Sequence, residues 1–357
     1  MSLNIGIVGL PNVGKSTLFN ALTKSGQAAA ENYPFCTIEP NVGIVPVPDD
    51  RLQKLADVVK TNKLIPATVQ FVDIAGLVAG AHKGEGLGNQ FLAHIRETDA
   101  IAMVVRCFTD ENVIHVTGTV DPKSDIETIK LELILADLQT VTKMRGVAET
   151  KAKGHDKEAM VLFTALNKVE HTLNQEQLAS LADLGDDERS AINSIQLLTN
   201  KPFLYIGNVS EADVNKDPSD FGLPSDAILI SAKVESELVS LTDSEQAEYL
   251  AALGLNESGL TRLIHRAYKT LGLQYFFTAG PKEVRAWTIH QGSTAPIAAG
   301  VIHTDFIKGF IRAEVMSYDD LITLGSELKV KEAGKLRIEG KDYVMREGDV
   351  VHFRVTS

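Results

Sequence analysis

The chain has 357 residues, 44% hydrophobic and 23% charged, an ordinary globular composition that excludes a collagen-like, low-complexity or wholly disordered protein. Its 35 basic and 47 acidic residues leave a net charge of −12, which argues against a protein held on nucleic acid by its overall field but leaves room for a local basic patch. Two cysteines, Cys36 and Cys107, are too few for a disulfide scaffold and suit a reducing cytoplasm.

At roughly 150 residues per domain the length predicts two or three domains. The N-terminus has neither a basic leader nor a long apolar run before Gly9, so no signal peptide is expected. No window offers about 18 uninterrupted apolar residues, so no membrane span or membrane partner is expected either. Residues 275–357 hold 11 basic and 11 acidic residues, so the whole acidic surplus lies upstream of them.

In chain order, Asn4–Gly9 reads as a strand running into a glycine-punctuated loop, with helical spacing from Ser16 to Leu22. Short bounded apolar runs at 68–73, 100–106, 203–207 and 227–231 read as further parallel strands of βαβ units. Between Asp125 and Leu184 apolar residues recur at helical spacing, interrupted by the charged, glycine-containing stretch 143–157. The pattern predicts a coiled-coil-like helical hairpin inserted into an α/β domain. From about Gln274 the texture changes, and 284–289, 301–302, 329–330 and 350–355 read as short strands of a small α+β domain. The expected division is 1–124 with 200–273, an insert at 125–199, and a C-terminal domain at 274–357.

Gly9-Leu-Pro-Asn-Val-Gly14-Lys15-Ser16 matches G-x-x-x-x-G-K-[ST] between a strand and a helix, the context in which backbone N–H groups and a helix N-terminus cradle phosphates. Asn12, Val13, Gly14, Lys15, Ser16 and Thr17 are the expected cradle, with Lys15 on the β- and γ-phosphates and Ser16 on Mg²⁺. Asp73-Ile-Ala-Gly76 ends a strand in the D-x-x-G form, so Asp73 is expected to hold Mg²⁺ through water and the Gly76 N–H to sense the γ-phosphate. Thr37 lies between these elements, where a switch threonine closes on the metal.

Asn32-Tyr-Pro-Phe-Cys-Thr37, Asp73-Ile-Ala-Gly-Leu-Val-Ala-Gly80 and Gly84-Glu-Gly-Leu-Gly-Asn-Gln-Phe91 resemble the Obg-related P-loop NTPases, and within them the YchF subfamily. The resemblance extends over nearly the whole chain. It makes the tail, with Ala286-Trp-Thr-Ile289 and His303–Arg312, similar to a TGS domain. It implies a preference for ATP over GTP and a ribosomal partner, the large subunit or the intact ribosome. The insert and the TGS domain would be the contact surfaces.

Two stretches compete to read the base. Asn167-Lys-Val-Glu170 lies on the amphipathic pattern of the insert and 64 residues before Ser231, whereas Asn208-Val-Ser-Glu211 follows a buried-looking strand and lies 23 residues before it. The second is chosen, with Ser231, Ala232 and Lys233 as the other base loop. There the usual guanine-reading Asp is Glu211 and the usual Lys is Val209. A misplaced carboxylate leaves guanine's donors unpaired, while the Asn208 amide and the backbone near Val209 can meet adenine. ATP is therefore the expected nucleotide, with GTP as the lesser alternative.

Leu77 stands where Ras-like enzymes place a water-orienting Gln. The family resemblance offers His115 instead, although a lone His in an apolar segment is commonly structural. Asn12 is similar to the P-loop asparagine with which some relatives hold K⁺, which would neutralise transition-state charge. Lys143, Arg145, Lys151, Lys153 and Lys157 at the hairpin tip could touch rRNA phosphates or form a solvated face. His82 and Lys83 read as solvated, Cys36 as a quiet thiol. The leading expectation is a cytoplasmic Mg²⁺-dependent ATPase that acts as a nucleotide switch. Its competitors are a GTP-hydrolysing translation factor and an ATP-gated binding module with incidental hydrolysis.

Overall fold

The structure, a computed structural model, describes residues 3–30, 41–74, 87–110 and 120–356. Its described elements, in chain order, begin with β1 (Asn4–Val8), α1 (Lys15–Ala30), β2 (Val42–Pro46), α2 (Arg51–Val59), β3 (Leu64–Ile65), β4 (Thr68–Asp73), α3 (Leu87–Arg96) and β5 (Ala100–Arg106). The helical insert follows as α4 (Pro122–Ala152), α5 (Lys157–Asn174) and α6 (Asp186–Asn193). The chain then returns through β6 (Phe203–Asn208), β7 (Ile228–Ile230), α7 (Ala232–Leu238), α8 (Asp243–Ala252) and α9 (Gly259–Thr270).

The first sheet runs β2-β4-β1-β5-β6-β7. Its strands are parallel except β2, which pairs antiparallel with β4 at the edge. Every residue of β5 is buried, as expected of a central parallel strand covered by helices on both faces. The P-loop thus leaves the middle of the sheet. The carboxyl ends of β1, β4, β5, β6 and β7 lie along the same edge of the sheet, where open α/β sheets bind ligands.

The first helix of the insert is longer than the sequence predicts. Asp121 caps α4 by accepting from the Ser124 N–H at 3.1 Å, with Pro122 in the first turn. The helix starts three residues before the expected insert boundary and continues through Gly146, whose missing side chain faces open space. The charged stretch is therefore mostly helix. Lys143, Arg145 and Lys151 lie on α4, and the turn is only 153–156, closed by His155 at φ 64°. Ile134, Val141 and Ala148 pack against Ala165, Leu166, Val169 and Leu173 in a core of their own. Asp137, fully buried, fastens this core by accepting from the N–H groups of Leu198 (2.9 Å) and Thr199 (2.7 Å) and from the Thr199 hydroxyl (2.6 Å).

The C-terminal part comprises β8 (Leu273–Ala279), β9 (Val284–His290), α10 (Ala295–Ile302), α11 (Asp305–Gly309), β10 (Phe310–Met316), α12 (Tyr318–Leu324), α13 (Glu327–Glu332), β11 (Arg337–Glu339) and β12 (Val350–Val355). Two expected strands are helical. Val301 and Ile302 end α10, whose Ala295, Ala298 and Ala299 fill the core beside Phe276 and Phe310. Lys329 and Val330 belong to α13, where Val330 alone is buried. The second sheet runs β11-β10-β12-β8-β9-β3. Its last strand, Leu64–Ile65, falls within the segment that the sequence places in the nucleotide-binding domain, yet it pairs in parallel with Val284 and Arg285 of β9.

Candidate nucleotide-binding site

β1 delivers the chain to the loop Gly9–Gly14, and α1 begins at Lys15. The loop is too close to its neighbours for larger residues at two points. A Cβ on Gly9 would lie 2.5 Å from the Val104 carbonyl oxygen, and one on Gly14, at φ 95°, would run into Asn208 Nδ2. Asn12 also takes a left-handed conformation, φ 64°. Val13 is buried, whereas Asn12, Ser16 and Thr17 face solvent at the mouth of the loop.

Lys15 is buried at the start of α1 and its ammonium donates to the Ile74 carbonyl at 3.3 Å, next to the Asp73 carboxylate. Burial is the larger influence on both groups. It pushes the Lys15 pKa down and the Asp73 pKa up, and each charge partly restores the other. Asp73 Oδ1 is buried with no hydrogen-bond partner among the described residues. An unpaired carboxylate oxygen and the Ser16 hydroxyl form a hard oxygen donor set, which fits Mg²⁺ completed by water and phosphate. Among the described residues no cluster of three or more His, Cys, Asp or Glu could hold a metal unaided. Thr37, Gly76, Leu77, His82, Lys83 and His115 lie outside the described residues, as does Cys36.

The base loops meet the P-loop through Asn208, which is 6% exposed. Its Nδ2 donates to the Val13 carbonyl at 2.9 Å, and its Oδ1 accepts from the Ala232 N–H at 3.0 Å. Both ends of the amide thus fasten three loops together, and its second Nδ2 hydrogen is left for the base, the role the sequence predicts. Val209 is 2% exposed and its N–H donates to the Ile230 carbonyl at 2.9 Å, so of its backbone groups only the carbonyl is left for a ligand. Ser231 is buried, and its hydroxyl caps α7 by accepting from the Val234 N–H at 3.5 Å. Glu211 and Lys233 are exposed.

These residues line a cleft of about 630 Å³ that runs from Asn12, Gly14 and Thr17 to Asn208, Glu211 and Lys233. Phe108, Thr109 and Asp110, which follow β5, line it too, along with Ser236 and Glu237 on α7. None of the last five carries a motif, so sequence pattern could not single them out. The competing stretch Asn167–Glu170 lies on α5, where Lys168 pairs with Glu188 at 2.7 Å and Glu170 with Arg145 at 2.5 Å.

A glycine loop leaving the central strand into a helix, facing an acidic strand end, places the chain among the P-loop nucleotide hydrolases of the GTPase type. A family model for 50S ribosome-binding GTPases matches residues 4–142. The model for the C-terminal domain of YchF GTPases, described as a protein of unknown function, matches 273–356. Proteins named ribosome-binding ATPase YchF align over 99% of this chain and 99% of their own length. The one from Bacillus subtilis is 52% identical and the one from Haemophilus influenzae 53%. The solved structure of the Schizosaccharomyces pombe YchF GTPase is 39% identical, with a TM-score of 0.86 over 99% of this chain and 98% of that one. The chain belongs to the YchF family.

Proposed function

We propose that the protein is a Mg²⁺-dependent ATPase, converting ATP and water to ADP and phosphate, that works as a nucleotide-dependent switch on the ribosome. The observation that carries the choice of ATP is the loop after β6. Val209 is buried where guanine-reading loops place a lysine, and the Glu211 carboxylate stands exposed at the cleft's rim. In that position it does not offer guanine's ring N–H and amino group a buried acceptor, whereas the Val209 carbonyl can accept from adenine's amino group. The bacterial relatives are named for ATP hydrolysis, and the fission-yeast relative for GTP hydrolysis. GTP is thus the competing nucleotide.

In this reading the backbone of Asn12–Thr17 holds the phosphates and Lys15 neutralises the β- and γ-oxygens. Ser16, Thr37 and, through water, Asp73 would hold the metal. Bound Mg²⁺ would supply charge neutralisation across those oxygens. Gly76 senses the γ-phosphate, and His115 orients the water in place of Leu77. Asn12 holds K⁺, and equal hydrolysis rates in K⁺ and Na⁺ would remove that role. Ser231, Ala232 and Lys233 close the base cleft. The family-model and relative names support a ribosomal partner, hence a cytoplasmic location, with rRNA phosphates meeting the insert and the C-terminal domain. The large subunit or the intact ribosome is the expected binding particle.

Calorimetric titration with ATP and with GTP in Mg²⁺ and K⁺ tests the reading. Tighter ATP binding is expected, and equal or tighter GTP binding would replace it with a GTPase. Loss of turnover in His115→Ala with ribosome binding retained would instead favour an ATP-gated binding module.

A further inference from the structure

Arg106, the last residue of β5, is the largest fully buried side chain among the described residues, at 1% exposure. A guanidinium taken out of water is costly unless its donors are engaged. Here its Nε donates to the Phe108 carbonyl at 3.0 Å and its Nη2 to the Asp110 carbonyl at 3.3 Å. The guanidinium also lies over the Phe108 ring, 4.6 Å from its centroid. One buried side chain therefore holds both the backbone and the ring of the residues 107–110 that follow β5. That segment is also anchored beside the base site. Arg106 sits in register with Asn208 in the sheet, and the Cys107 N–H donates to the Asn208 carbonyl at 2.8 Å. Phe108 in turn lines the cleft together with Asn12, Asn208 and Ser231.

We propose that Arg106 is a positioning residue for the nucleotide: it fixes Phe108 as the aromatic wall against which the purine base stacks. The proposal rests on the cleft's reading as a base site and adds the group that shapes it. Arginine suits the task for a geometric reason. Its planar fork reaches two carbonyls two residues apart while a face of the same plane covers a ring, whereas lysine offers a compact point charge with no plane. Every purine presents a π-face, so the wall contributes affinity without choosing between adenine and guanine. Choice stays with the loop after β6, and affinity is shared with the loop after β5.

The test compares Arg106→Lys, Phe108→Leu, Phe108→Tyr and the double variant R106K/F108L in steady-state hydrolysis of ATP and of GTP. Arg106→Lys and Phe108→Leu should each raise KM for both nucleotides by about tenfold, the size expected for losing one base-stacking contact, with kcat moving far less. Phe108→Tyr should restore the wild-type KM. The double variant should be no worse than Phe108→Leu, because Arg106 reaches the nucleotide through the ring it fixes, whereas an arginine with a separate structural part would add its own loss. An unchanged KM in Phe108→Leu, or a fall in kcat at constant KM in Arg106→Lys, overturns the proposal. Phe108→Leu leaves both carbonyl acceptors in place, so it decides the matter even if the arginine variant does not fold. A wild-type preference for GTP would sink the ATPase reading while leaving the parallel rise in both KM values intact. Failure of the wild-type protein to bind either nucleotide would sink the base-site reading before any variant is compared.

Discussion

The side-chain amide of Asn208 reaches the Val13 carbonyl at 2.9 Å, fastening the loop after β6 to the phosphate loop after β1. Its other end accepts from the Ala232 N–H at 3.0 Å, so a single side chain sets the width of the cleft. A buried donor or acceptor left without its partner costs about 1–3 kcal/mol. Asn208→Ala strands two such groups. Affinity for ATP and for GTP should then fall together by tenfold or more, and the thermal midpoint should fall by several degrees. Calorimetry and a melting curve check this. A loss confined to one nucleotide would make Asn208 a base reader instead.

Asp73 Oδ1 lies buried beside Lys15 without a partner among the described residues, which suits an oxygen that completes itself with a metal. Asp73→Asn keeps the shape and removes the charge. Nucleotide binding without Mg²⁺ should stay within a few-fold of wild type. The extra affinity conferred by Mg²⁺ should vanish, and hydrolysis should drop at least a hundredfold, about 2.7 kcal/mol of barrier. Titrations with and without Mg²⁺ distinguish this from general damage.

In the C-terminal sheet, hydrogen bonding from Arg354 at 2.8 Å and Arg312 at 2.9 Å holds the Glu314 carboxyl down to about 2. The folded group binds its proton more weakly than the unfolded one does. Its stabilising contribution is therefore complete above the unfolded value of 4.5 and is lost as pH falls toward 2. The difference in thermal midpoint between wild type and Glu314→Gln should be largest above pH 5 and shrink steadily below it. A constant difference from pH 6 to pH 3 would contradict this assignment.

Of the five basic residues that could touch rRNA phosphates or form a solvated face, Arg145 is bound to Glu170 and Lys153 to Glu149 at 2.9 Å. Lys143, Lys151 and Lys157 are exposed. Replacing those three by Ala should weaken co-sedimentation with ribosomes and flatten its salt dependence, because each phosphate contact adds to the slope. Replacing Arg145 and Lys153 should do less. Unchanged binding in the triple variant would take the hairpin out of the interface.

The phosphate loop and the sheet around it were legible because their signals are local: a buried strand, a glycine loop and a helix start within Asn4–Leu22. Local signals also misled. Val301, Ile302 and Val330 favour strands by β-branching, yet alanine packing in α10 and the burial of Val330 in α13 decided for helix. Gly146 looked like part of a turn, but it faces open space and α4 runs through it. The roles of Asn208 and Arg106 depend on partners brought near by the sheet, which no spacing rule encodes.

The pairing of Leu64–Ile65 with β9 joins segments some 220 residues apart, reinforced by the Lys63–Glu283 ion pair at 2.7 Å. During synthesis the β3 segment must therefore wait, its hydrogen-bonding edge unmet, until the last quarter of the chain emerges. Cutting the chain before residue 273 would not excise a self-sufficient module. The released piece would carry β9 as a bare edge, able to recruit a strand from another molecule, and self-association is the expected behaviour of such a fragment.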